Sequence, residues 1–86
     1  MPEICRFFGI IIKMFFDDHD PLHIHVEYQG NKAVFDIQGN IIKGELKSRV
    51  AIRLVREWID LRHKELMEDW ELAQAGKELK KISPLD

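Results

Sequence analysis

Apolar residues fill both alternating sets of positions from Ile4 to Phe16, broken only by Arg6, Gly9 and Lys13. Such a run fits one long strand covered on much of both faces, with Gly9 placed to mark a bulge. Asp17-Asp18-His19-Asp20-Pro21 then reads as a loop, because aspartates bond to nearby backbone and Pro21 turns Asp20 away from helical geometry. From His23 the period is two. Ile24, Val26 and Tyr28 share one face and His23, His25 and Glu27 the other, the pattern of a half-buried strand. Gln29-Gly30-Asn31 is a hairpin turn signal, after which Ala33, Phe35 and Ile37 alternate with Lys32, Val34, Asp36 and Gln38. Gly39-Asn40 turns the chain again, and Ile42, Gly44 and Leu46 alternate with Ile41, Lys43 and Glu45 as a short last strand. The pattern predicts an antiparallel meander of three to four strands.

The second half changes period. Ser48 is placed to cap a helix, and no Gly or Pro follows until Gly76. At about 100° per residue, Val50, Ala51, Ile52, Leu54, Val55, Trp58 and Ile59 occupy one broad arc, which should cover one face of the sheet. Arg62 and Glu65 fall in the same arc, so the helix leaves the core or bends near residues 61 to 65. Leu66, Trp70 and Ala73 resume at helical spacing, and Gly76 supplies a stop. The expected fold class is α+β: a meander covered on one face by a C-terminal helix or helix pair, with residues 1–47 mainly strands, 48–76 helical and 77–86 an extended tail. Trp58, Leu54, Val55, Ile24, Val26, Phe35 and Ile37 are the expected core.

Composition narrows the class further. At 86 residues, 45% hydrophobic and 33% charged, the chain has the balance of one small globular domain spanning 1–86. Cys5 has no partner within the chain, which suits a reducing compartment and a buried, inert thiol. The longest apolar stretch falls well short of the roughly 20 residues that cross a bilayer, and the start lacks the features of a signal peptide. A cytoplasmic protein with no membrane attachment is the expectation. The net charge of -2 removes a molecule-wide attraction to phosphate backbones but leaves room for a local basic patch.

The chemistry concentrates in Asp17 to Glu27, where three of the four histidines and four acids stand together. On a strand His23, His25 and Glu27 point the same way, neighbours about 6.6 Å apart. A His-x-His pair on one face can hold a divalent metal with Asp17 or Asp18 completing the set. The same imidazoles, with His19, can instead act as catalytic proton carriers near neutral pH. The plainer alternative is a solvated strand face beside an acidic turn. His63 falls on the polar side of the helix and reads as a surface residue. Arg49, Arg53 and Arg56 share a helix face, but Arg53 with Glu57, Arg56 with Asp60, and Asp60 with Lys64 have the spacing of an ordinary ion-paired surface. No phosphate-binding glycine loop, Cys-x-x-Cys pair or serine nucleophile motif is present.

Taken as a series, Pro2 to Ile10, Met14 to Val26, Trp58, Glu68 to Ala73 and Leu79 to Leu85 resemble a bacterial family of small proteins, domain-of-unknown-function family 4160. The resemblance covers nearly the whole chain and brings no established activity. Members are often encoded beside another small protein, as toxins and antitoxins are, so it implies a small protein partner. Two readings therefore stand side by side. One is a polar site of His19, His23 and His25 with Asp17 or Asp18, binding a divalent metal or cleaving a phosphodiester such as RNA, with Arg6, Lys13 or Arg49 as substrate contacts. The other is a non-enzymatic interaction module. Ile11 and Phe15 should share the histidine face, and apolar surface there favours a homodimer or a small protein partner.

Overall fold

The structure, a computed structural model, describes residues 3–16 and 21–85. Five strands, β1 (Glu3–Phe7), β2 (Ile10–Lys13), β3 (His23–Tyr28), β4 (Asn31–Asp36) and β5 (Ile41–Gly44), pair in chain order as one antiparallel sheet. Two helices, α1 (Arg49–Leu61) and α2 (His63–Gln74), follow. The α+β meander is the one expected, but with five strands in place of three to four. The additional strand comes from the first apolar run, which is not one strand bulged at Gly9. The chain folds back there, with Phe7 opposite Ile10 and φ of 48° at Phe8 and 78° at Gly9. Positive φ at both central residues is the two-residue hairpin turn that matches strand twist. An aromatic side chain seldom takes that conformation, so Phe8 disguises the turn. The bulge lies instead in β1, where the register passes from Glu3 opposite Lys13 to Cys5 opposite Ile12 and both Ile4 and Cys5 turn inward.

Alternation then builds the core. Ile10, Ile12, Met14, Ile24, Val26 and Phe35 are fully buried against Val55, Trp58 and Ile59 of α1 and Leu66 of α2. Each such side chain stabilises the fold by about 1.5–3 kcal/mol through removal of apolar area from water. Leu54 and Ile37, expected at the centre, are half-buried at its margin. The Ser48 hydroxyl accepts the Ala51 amide at 3.1 Å and starts α1. The helix breaks at Arg62, where continuation would have turned Arg62 and Glu65 into the core; these two form an ion pair at 3.6 Å. The break lets Leu66, Trp70 and Ala73 reach buried positions.

Among the described residues the expected pairs Arg53–Glu57, Arg56–Asp60 and Asp60–Lys64 are not formed; Arg56 Nε donates to the Gly39 carbonyl at 2.9 Å instead. Exposed pairs gain little in water, whereas a carbonyl fixed in the β4–β5 turn is a defined acceptor. Helix α2 ends where Gly76 N–H bonds to Ala73 O (3.1 Å) and Lys77 N–H to Leu72 O (2.8 Å), a Schellman closure. The tail then lies along the outer edge of β1, with Ile82 N–H donating to Ile4 O and Trp58 Nε1 donating to Ser83 O, both at 2.8 Å. Cys5 is buried, and burial pushes its thiol up from the ordinary value. Among the described residues no helix is long and apolar enough to cross a membrane.

Candidate functional site

Because β3 sends Ile24 and Val26 into the core, His23, His25 and Glu27 emerge on the other face of the sheet. The antiparallel register decides their neighbours. His25 lies between Lys13 of β2 and Val34 of β4, with Lys43 of β5 beyond; Glu27 lies between Ile11 and Lys32; His23 stands opposite Asp36. Asp36 does not turn to His23, since its carboxylate accepts the Gln38 and Asn40 amides at 2.9 Å and closes the β4–β5 turn.

Four rings run in series across this end of the sheet. Trp70 meets His23 at 5.4 Å between centroids, His23 meets His25 at 5.2 Å, and His25 meets Phe15 at 4.4 Å. The contacts are tilted or edge-on, the arrangements aromatic pairs prefer. His23 Nδ1–H donates to the Pro21 carbonyl at 2.9 Å. A carbonyl can only accept, so the neutral ring carries its lone pair on Nε2. The proline that ends the acidic segment thus sets the tautomer of the first histidine after it.

Lys13 and Glu27 form a part-buried ion pair. The hydrogen bond from Lys13 holds the Glu27 carboxyl below the usual carboxylate range, the charges of Lys13 and Lys32 add to this, and burial opposes it. Lys32 and Lys43 make no ion pair among the described residues, and with Phe15, Val34 and Ile42 they wall a groove of about 710 Å³ that contains both imidazoles. Ile42 is 55% exposed because it is an additional residue in β5, between Val34 opposite Lys43 and Phe35 opposite Ile41.

His23 and His25 therefore come together as expected, with Phe15 beside them and Lys13 adjacent in the sheet. Asp17, Asp18 and His19 lie outside the described residues. Among the described residues no three metal-ligating side chains are grouped. Arg6 is on the same sheet face but paired with Glu3, Arg49 begins α1 in the other layer, and His63 is exposed at the start of α2. Lys32, Lys43 and Trp70 were not legible as site residues. Strand register brings in the two lysines, and helix docking brings Trp70, whose spacing reads simply as core.

A family model described as "Domain of unknown function (DUF4160)" matches residues 9–71. No curated protein and no solved structure matches the chain.

Proposed function

The chain belongs to the DUF4160 family, and from that premise, which brings no activity with it, we propose that the sheet face carrying His23 and His25 is an acid/base site acting on a phosphodiester such as RNA. The observation that carries this is the pair His23 and His25, 5.2 Å apart in a groove rimmed by Lys32 and Lys43, on a chain whose net charge is -2. His23 Nε2 takes the proton from a ribose 2′-hydroxyl. The 2′-oxygen attacks phosphorus, and the bond to the 5′-oxygen breaks as imidazolium His25 protonates it. A 2′,3′-cyclic phosphate and a 5′-hydroxyl result, and the lysines offset charge on the pentacoordinate phosphorus. His19 is a further proton carrier, and Asp17 or Asp18 orients an imidazole.

The test is cleavage of a labelled single-stranded RNA with a chelator present. Cyclic-phosphate ends are expected, with the rate falling about 10²–10⁴-fold in His23→Ala and in His25→Ala. No cleavage by the native chain, or cleavage unchanged in both variants, removes the reading. Cleavage abolished by chelator and restored by zinc or manganese replaces it with a divalent-metal site of Asp17, Asp18, His23 and His25.

A second reading has its own support. Phe16 and Ile42 are exposed large apolar side chains, and Phe15 and Val34 are half-buried on the histidine face. Such surface suits a non-enzymatic module that meets a small protein partner or a second copy. Sedimentation of the native chain and of Ile42→Asp tests it. A dimer that dissociates in the variant is expected, and a monomer at high concentration counts against self-association.

A further inference from the structure

We infer that the groove takes a single-stranded nucleic acid, with an unstacked base against Phe15 and the flanking backbone on Lys43 and Lys32. The inference rests on the phosphodiester reading and names the form of its substrate.

The walls of the groove differ in kind. Phe15 and Pro21 line one end, next to the imidazoles, and Ile42, Lys43 and Gly44 the other. Phe15 is half-buried, held edge-on to His25 at 4.4 Å, so its ring is fixed while part of it faces the groove. A fixed aromatic beside cationic side chains is the combination that binds single strands. Every base has a face that stacks, and the lysines follow the backbone. Register sets the spacing. Lys43 is two strands from His25 across Val34, about 10 Å from strand separation, so a chain with one phosphate at the histidines passes the Lys43 ammonium with its neighbour.

A duplex fits poorly. Its bases are stacked and paired and cannot offer a face to Phe15, and the concavity of about 710 Å³ is that of a small-ligand pocket. The charge also fits one strand. Lys13 is neutralised by Glu27, and among the described residues Lys32 and Lys43 have no carboxylate paired to them, which leaves them for phosphates. With few phosphate contacts and an acidic segment, Asp17-Asp18-His19-Asp20, next in the chain, binding belongs to low ionic strength.

The experiment uses a fluorescent single-stranded DNA, which lacks the 2′-hydroxyl and so reports binding apart from cleavage, and the duplex of the same sequence. Anisotropy at low salt should show the single strand bound and the duplex at least about tenfold weaker. Phe15→Leu should weaken single-strand binding about tenfold, from loss of stacking. Lys43→Ala, at an exposed position, should lower the slope of log affinity against log salt by about 0.7. Circular dichroism confirms that each variant is folded; if Phe15→Leu is not, Lys43→Ala decides alone. Duplex bound as tightly as single strand, no binding at low salt, or binding indifferent to the variants overturns the inference. So does displacement by polyglutamate at equal charge concentration, which identifies an acidic protein surface as the occupant. If single strands bind as described but RNA is never cut, the acid/base reading alone fails. If RNA is cut without preference for single strands, this inference alone fails.

Discussion

Asp69 is 1% exposed, with Oδ1 accepting the Lys80 amide at 3.0 Å and Oδ2 buried without a hydrogen-bond partner among the described residues. Burial pushes its carboxyl up from 3.8, against the bond from Lys80 and the Lys80 charge. The folded state thus holds this proton more tightly than the unfolded chain does. The stabilisation it brings is complete below the unfolded value and is lost as pH rises through the folded one. Glu27 acts with the opposite sign, since its carboxyl is lowered and its contribution is lost on acidification. Asp69→Asn keeps an acceptor for Lys80 and removes the buried charge. It should leave stability at neutral pH equal or higher and make it fall less over the interval of rising pH above 3.8. Denaturant titrations across that interval check this, and an unchanged pH dependence would show the carboxylate to be well solvated. Asp69→Ala removes the acceptor as well and should cost about 1–3 kcal/mol. Its spacing, three residues after Leu66 and four before Ala73, already puts Asp69 on the buried stripe of α2; what the returning tail adds is the Lys80 amide.

At the scale of elements, β5 shows how a short strand with a weak pattern is held. Gly44 has φ of 77°, and a Cβ there would sit 2.3 Å from the Lys32 carbonyl oxygen. The close approach lets Glu45 N–H bond to that carbonyl at 3.2 Å while Ala33 pairs with Gly44. Gly44→Ala is expected to cost about 1–3 kcal/mol from backbone strain, with more from the clash, and to loosen β5 first. Amide exchange should then accelerate at Lys43 and Glu45 ahead of β2 and β3. Uniform exchange with unchanged stability would refute the close approach. The strands from His23 to Asp36 were legible because strict alternation and Gln29-Gly30 point to the same hairpin. The first hairpin was not, because an Ile- and Phe-rich run satisfies a long buried strand equally well and Phe8 occupies a turn position that usually signals itself with Asn or Gly.

For the molecule as a whole, the tail closes one edge of the sheet. Residues 79–85 place Ile82 in the core cluster, bond it to Ile4, and receive Trp58 Nε1 at Ser83 O. An uncovered edge strand invites pairing with another chain. Removing residues 79–86 should lower the melting temperature and produce concentration-dependent association, read by light scattering. A monodisperse chain with unchanged melting temperature would mean that the tail is incidental. Trp58→Phe separates the bond from the packing and should cost about 1 kcal/mol, against about 3–5 kcal/mol for Trp58→Ala.

Alternation and helical period by themselves determined the class of fold, the inward faces of β2, β3 and β4, the break between the helices and the shared outward face of His23, His25 and Phe15; the bulge in β5, which turns Ile42 outward, was not among them. These are local matters, because backbone geometry assigns successive side chains to faces whatever lies beyond. Which residues stand beside the histidines was decided only by tertiary structure. Lys43 reaches the groove through register across β4, Trp70 meets His23 through the docking of α2, and Asp69 takes its hydrogen bond from a tail residue eleven positions further along. Each depends on pairing or packing between distant segments, whose free energy belongs to the assembled core and leaves no periodic trace in either segment alone.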